Sequence, residues 1–277
     1  MRVLIADSGS TKTHWVLLDE KGQAGEWMGQ GINPALATVA AITALLPDDC
    51  RADSICFYGA GCKGEGAVRM RQVLCERYPG VNAVSVESDL LAAARSLCGN
   101  RPGVACILGT GANTCFYDGE RIVENVPTLG YVLGDEGSGA SLGRLLLRDV
   151  LRGSVSPAVA RGFRETFGLD ETEIVRRVYR EPAANVFLAS FCPFLAAHRS
   201  DAGIRTLLVS EFMRHLETSV VRYGRPELPV NYVGSVACHF QEELREAAAC
   251  LGLTVGEIHQ RPMPGLIRYH TSRHYPR

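Results

Sequence analysis

With 277 residues, 29 Lys plus Arg against 30 Asp plus Glu, and a formal net charge of −1, the chain has no charge excess with which to hold nucleic acid or a membrane surface. It is long enough for one large or two modest domains, no apolar run reaches the roughly 20 residues that span a bilayer, and the N-terminus enters a strand without a signal-peptide pattern; a soluble, cytoplasmic protein is expected. The ten cysteines contain no C-x-x-C pair and mostly lie in apolar runs, so they read as reduced core thiols rather than an iron–sulfur or zinc set.

The first element is a hairpin. Val3-Leu4-Ile5-Ala6 enters the turn Asp7-Ser8-Gly9-Ser10-Thr11-Lys12-Thr13, and Trp15-Val16-Leu17-Leu18 leaves it. Gly9 offers backbone freedom, and Ser8, Ser10, Thr11 and Thr13 add hydroxyls to the backbone N–H groups, a set that suits phosphate oxygens. An unpaired Asp7 carboxylate would repel that phosphate. A cation, Mg²⁺ held partly through water, resolves the conflict. Alone, these seven residues read as a polar turn. The pattern recurs, however: Val104 to Leu108, then Gly109-Thr110-Gly111-Ala112-Asn113-Thr114, then Cys115-Phe116-Tyr117. The repeat suggests two similar lobes, each offering a phosphate-gripping hairpin to a shared cleft. There is no G-x-x-x-x-G-K-[ST], so neither turn is a P-loop.

Further along, Gly25 to Gln30 reads as an edge strand, and Gly31-Ile32-Asn33-Pro34 starts a helix, with Asn33 either its N-cap or a ligand aimed into the cleft. Ser54 to Tyr58 is a buried strand ending in Gly59-Ala60-Gly61. The helix after it runs to about Tyr78 with Val68, Val73 and Leu74 in the core. Asn82 to Glu87 is the next strand, and Asp89 follows its carboxyl end, ahead of the helix Leu90 to Leu97. Open α/β sheets bind ligands at such ends, although a first-turn carboxylate is also a common helix device. The breaker-rich stretch Asn100 to Gly103 divides a lobe of residues 1–101 from one of residues 102–277. In the second lobe the loop Thr128 to Gly139 carries Gly130, Gly134, Gly137 and Gly139 around Asp135 and Glu136, carboxylates that can grip sugar hydroxyls or equally cap the helix that follows. A helical insertion covers about residues 140–228. Pro229 to Val233 is a strand leading into Gly234-Ser235, Phe240 to Leu251 a helix, Thr254 to Ile258 a last strand and Met263 to Tyr269 a short helix before a frayed end.

Phosphoryl transfer without a P-loop still needs backbone donors around the phosphates, a cation and a base at the acceptor hydroxyl. The two turns, Asp7 and Asp89 are candidates for these in turn. In this order, Asp7 to Thr13, Leu108 to Cys115, Gly134 to Gly139 and Gly234 to Ala237 resemble the sugar-kinase/actin/Hsp70 superfamily. More narrowly they resemble its BadF/BadG/BcrA/BcrD-type ATPase family, in the N-acetylglucosamine-kinase-like branch, over essentially the whole chain including Pro264 to His270. The resemblance implies an α/β fold of two RNase-H-like lobes of actin/hexokinase type, with the last helix packed back on the first lobe. It implies ATP and Mg²⁺ as cofactors, an amino sugar as partner, and a homodimer. It assigns Ser8, Gly9, Ser10, Thr11, Thr110, Gly111, Gly234 and Ser235 to the nucleotide and Asp7 to Mg²⁺ through water. Asp89 becomes the base for the sugar 6-hydroxyl, and Asn33, Asn113, Gly130 and Asp135 hold the sugar. Where the animal kinase has Gly-Trp-Gly, this chain has Thr128-Leu129-Gly130, so the wall near the N-acetyl group differs. Two other readings stand beside it. An activator ATPase of a radical dehydratase or reductase calls for interface cluster cysteines, of which no obvious set is present; a non-catalytic sugar sensor calls for loss of the base, and Asp89 is present.

Overall fold

The computed structural model describes residues 1–9, 11–48 and 51–275, which leaves the candidate Ser10 outside the described residues. It divides into two compact units, Met1–Arg101 with Gly119–Arg121 and Pro262–Arg277, and Pro102–Asp118 with Ile122–Arg261.

The first unit is built on β1 (Val3–Ser8), β2 (Lys12–Asp19), β3 (Gly22–Gln30), β4 (Ser54–Gly59) and β5 (Ala83–Ser88), in the order β3-β2-β1-β4-β5. The β1/β2 and β2/β3 pairs are antiparallel, whereas β1/β4 and β4/β5 are parallel. Central β1 is apolar on both faces because both are covered. Its Leu4 and Ala6 pack with Trp15, Phe57, Met70 and Val73, while Val3 and Ile5 pack with Val16, Leu18, Ala92, Met263 and Leu266. This alternation is the period of two that a pleated strand imposes.

Four local readings need correction. Asp7 and Ser8 belong to β1, opposite His14 and Thr13, rather than to the turn. The helix after β3 begins at Val39, capped by Thr38, instead of at Pro34. Asn33 closes a turn of its own, its Oδ1 accepting Ala35 N–H (3.1 Å) and its carbonyl accepting Leu36 and Ala37 N–H, so the chain must be capped again before a helix can start. Val68 is 68% exposed, because the helix Glu65–Arg77 buries the face of Gly66, Met70, Val73 and Leu74 and Val68 lies off it. The last helix runs Met263–His274 without fraying at Tyr269, since His270 is buried and bonded to Tyr58 and Arg273 reaches the Tyr269 hydroxyl.

The second unit repeats the plan with β6 (Gly103–Leu108), β7 (Ala112–Tyr117), β8 (Ile122–Glu124), β9 (Val230–Val233) and β10 (Val255–His259), in the order β10-β9-β6-β7-β8. The senses of pairing are the same: two antiparallel neighbours, then two parallel ones. Six helices between Gly139 and His215 separate β8 from β9, and Phe163, Phe191, Phe194 and Phe212 fill the core they share with the sheet. The two sheets are thus one RNase-H-like topology written twice, the architecture of the actin/hexokinase class.

Candidate active site

In the first unit, Ser8, Gly59 and Ser88 are register partners at the carboxyl ends of the three parallel strands. The residues that follow them, Gly9, Ala60 and Asp89, therefore emerge at one edge of the sheet. Gly61, with φ +77°, carries the β4 exit against Asn33, whose Oδ1 would lie 2.1 Å from a Cβ placed there. Asp7 and Gly9, Asn33, and Asp89 are gathered in this way from three separate stretches of sequence.

Asp89 opens the helix Asp89–Cys98, but it is not its cap. Ser88 holds that position, its hydroxyl accepting Leu91 N–H at 3.2 Å. The Asp89 carboxylate accepts local backbone donors, Leu90 N–H at 2.9 Å and its own N–H. Burial pushes its carboxyl above the ordinary carboxylate value, against the pull of those N–H groups and of the Lys63 charge. The neighbouring Cys62 thiol is pushed up to about 12 by burial and by the charges of Asp89 and Glu87, so it stays a thiol.

The first turn is less generous to phosphate than its composition suggests. The Ser8 hydroxyl is 2.7 Å from Thr13 Oγ1, donates to Ile32 O (3.0 Å) and accepts Ile32 N–H (2.9 Å), so it staples the hairpin and is not offered to a ligand. Gly9 N–H closes the turn on Lys12 O at 3.0 Å, and Gly9 does not adopt positive φ. Thr11 is exposed at the tip. Asp7 is half-buried at the strand end, a position from which a carboxylate could hold Mg²⁺, a cation that keeps several waters.

The second unit assembles its own set. Gly109 N–H closes the second turn on Gly111 O (3.0 Å), while the carbonyls of Gly109 and Thr110 accept Gly139 and Ala140 N–H from the start of the helix Gly139–Leu151. Gly234 locks the turn to β9. Its φ is +132°, and a Cβ there would fall 2.1 Å from Leu108 O, so only glycine permits this approach. Ser235 is exposed beside it, opening the helix Ser235–His239.

Asp135 is 8% exposed, with φ 57°, and its carboxyl lies above the ordinary value through burial, although Ala112 N–H at the turn exit donates to it. The cap of the adjoining helix is Ser138, through Ser141 N–H, so Asp135 is free of that duty. Asn113 accepts Thr114 N–H and Asn125 Nδ2 through Oδ1. Gly130, with φ 72°, lies in an exposed four-residue helix, Gly130–Leu133, that sequence patterning reads as loop.

Two features have no signal in the sequence. A cavity of about 430 Å³ opens beside Gly109, Thr110 and Ser235, walled by Ser190, Cys192 and Pro193 of the helical insertion and by His239. Its size is that of a small-molecule site and its lining is mostly apolar, with backbone and hydroxyl groups at the turn end. The second feature is Glu211, buried in the helix Ala202–His215, whose Oε1 accepts Gly137 N–H (3.1 Å) and the Ser141 hydroxyl and so fixes the glycine loop. Both depend on contacts between residues far apart in sequence. Among the described residues, no group of three or more His, Cys, Asp or Glu side chains is placed to hold a metal ion, and no helix is long and apolar enough to cross a membrane.

No family model and no curated protein matches the chain. Among solved structures it is similar to a candidate N-acetylglucosamine kinase from Porphyromonas gingivalis, at 41% identity and a TM-score of 0.93 over 98% of this chain and 99% of that one. A candidate N-acetylglucosamine kinase from Chromobacterium violaceum matches at 21% identity and TM-score 0.71, over 97% and 98% of the two chains. A ROK hexokinase from Thermus thermophilus matches at 18% identity and TM-score 0.52, over 94% and 92%. The last two speak for the fold alone.

Proposed function

The chain belongs to the N-acetylglucosamine-kinase-like branch of the BadF/BadG/BcrA/BcrD-type ATPase family, within the sugar-kinase/actin/Hsp70 superfamily, and from that membership we propose that it is an ATP-dependent sugar kinase that phosphorylates N-acetylglucosamine, or a close amino sugar, at the 6-hydroxyl. The observation that carries the reading is Asp89: a desolvated carboxylate at the carboxyl ends of the parallel strands of a mixed sheet, with Ser88 holding the N-cap position. A base so placed accepts the hydroxyl proton as the sugar oxygen bonds to the γ-phosphorus and the bond to the departing ADP breaks. The raised carboxyl is suited to hold that proton.

The cavity beside Gly109 and Thr110 is assigned to the nucleoside, with the phosphates toward the Thr110–Gly111 and Gly234–Ser235 backbone. Asp7 is the residue suited to hold Mg²⁺, whose charge offsets that of the phosphates. Asn33, Asn113 and Asp135 are assigned to the sugar hydroxyls and acyl group.

The test is ADP release from Mg·ATP by the purified protein, without sugar and then with a panel of amino sugars and hexoses. Release that requires N-acetylglucosamine, with sugar 6-phosphate formed in equal amount, is expected. Release indifferent to every sugar would overturn the kinase reading in favour of an ATPase.

A further inference from the structure

The first unit holds a second cavity, of about 280 Å³, lined by the opening halves of β4 and β5 (Ser54 to Cys56, Ala83 to Ser85), by Glu87 farther along β5, and by the helices that carry Arg95 and His270. Most of its lining lies away from the edge where Asp89 emerges, although Glu87 on β5 is two residues short of Asp89. Five residues of β4 separate Ser54 from Gly59, about 16 Å of strand, and six residues of helix separate Arg95 from Asp89, about 9 Å.

Its chemistry is one of donors without acceptors. Arg95 Nη1 donates to the Tyr58 hydroxyl (2.9 Å), and the same hydroxyl lies 2.9 Å from His270 Nε2. A guanidinium only donates, so the Tyr58 proton goes to Nε2 and the His270 proton resides on Nδ1. His270 is 3% exposed, and its Nδ1–H is buried with no acceptor among the described residues. The same is true of Arg95 Nε–H, and Ser54 Oγ at the cavity wall also lacks a partner. A buried donor left unmet costs roughly 1–3 kcal/mol.

The charges agree with the donors. Among the described residues, neither Arg95 nor Arg273 forms an ion pair with a carboxylate. Instead they flank the Tyr269 ring, at 5.2 and 6.0 Å from its centroid, and Arg273 also donates to the Tyr269 hydroxyl. Glu87 is the one carboxylate in the lining, set against these two guanidiniums. His270 and His274, stacked at 5.6 Å, are both held toward the neutral form: His270, at about 3, by burial first, then by its neighbour His274 and by Arg95 and Arg273, and His274 by burial and Arg273. The excess charge is therefore positive at neutral pH without any contribution from the imidazoles. Water could meet the donors but would leave one of the two guanidinium charges without a counter-charge, since Glu87 offsets only the other.

We propose that this cavity, between Arg95, His270 and Arg273, is a second binding site, specific for a small phosphate-type oxyanion, either free phosphate or the phosphoryl group of a compact phosphoester. The volume lies just below the roughly 300–1,000 Å³ of drug-sized sites, which excludes a nucleotide and fits a small anion. Planar guanidinium forks are the groups that recognise phosphate oxygens best. The inference is independent of the kinase reading.

The test is the thermal unfolding of the full chain at constant ionic strength in chloride, with Mg²⁺ and a non-hydrolysable ATP analogue saturating, titrated with inorganic phosphate and separately with a hexose 6-phosphate. Phosphate is expected to raise Tm with concentration, as a ligand of the folded state does. In Arg273→Gln, an exposed position, the phosphate concentration needed should rise roughly tenfold or more, the loss of one charge-assisted hydrogen bond. A hexose 6-phosphate shift that exceeds the phosphate shift and weakens alike in Arg273→Gln identifies an ester as the occupant; equal shifts identify free phosphate. No shift, or the same shift in Arg273→Gln, overturns the proposal. Isothermal titration of the wild-type chain under the same conditions, expected to give one phosphate site per chain, keeps the test decisive if the variant folds poorly.

Discussion

Burial raises the Asp89 carboxyl, while Leu90 N–H and the Lys63 charge pull it down, and burial prevails. The folded state therefore binds this proton more tightly than the unfolded chain does. Its contribution to stability falls as pH rises from the unfolded value through the folded one, and at neutral pH the ionised group costs stability. Asp89→Asn should accordingly lose about 10²–10⁴-fold in turnover, retain ATP and sugar binding, and melt at or above the wild-type temperature at pH 7. A variant that lost turnover and melted lower would show a structural role instead. Wild-type turnover should fall toward acid with an apparent pKa above 3.8, the ordinary value for the group. At Asp135 the expected effect of Ala is on substrate: KM for the sugar should rise far more than KM for ATP. An unchanged sugar KM would reduce Asp135 to the partner of Ala112 N–H. Both carboxylates were visible in the sequence as either ligands or caps, and position alone could not choose between these uses. The neighbouring hydroxyls of Ser88 and Ser138 remove the capping use, because each takes the capping bond.

The two hairpins were legible as elements because short apolar runs and a small-residue turn are both written locally, in β1 with β2 and in β6 with β7. Their internal difference was not. Ser8 pairs with Thr13 and Leu108 with Ala112, so the first loop is one residue longer, and only the register discloses it. The cavity beside Thr110 was illegible for a related reason: Gly109, Ser190 and Ser235 meet only through packing of the helical insertion. The glycines then sort by what touches them. Gly9 has ordinary φ and 3.8 Å of room to Lys12 O, whereas Gly234 combines φ +132° with Leu108 O at 2.1 Å. Gly9→Ala should leave Tm within a degree or so, while Gly234→Ala should cost about 1–3 kcal/mol in stability and weaken binding of an ATP analogue. Equal behaviour of the two variants, read by thermal melting and nucleotide titration, would contradict the assignment of Gly234 as the lock between β6 and β9.

At the scale of the chain, the first unit is discontinuous: the second is inserted at residue 102, and Pro262–Arg277 returns to complete the first. The returning helix is not ornament. Met263 and Leu266 supply the cover for Val3, Ile5, Val16 and Leu18, and Gly265 lies so close to Ser96 that a Cβ would fall 2.2 Å from its carbonyl oxygen. One face of β1 and β2 therefore lacks its partner until the last residues are in place, and a lone helical pattern at the end of the sequence carries no mark of where it will pack. Leu266→Ala removes a fully buried side chain from that layer and should cost about 2–5 kcal/mol. Because the buried cluster around Val104, Leu142 and Phe212 contains no residue of the first unit, the loss should be local in native-state hydrogen exchange. Amides of β1 and β2 are expected to lose protection while those of β6 and β7 keep theirs. Equal loss in both sheets would mean that the units open as one cooperative body, and unchanged exchange in β1 would mean that the C-terminal helix is not what seals it.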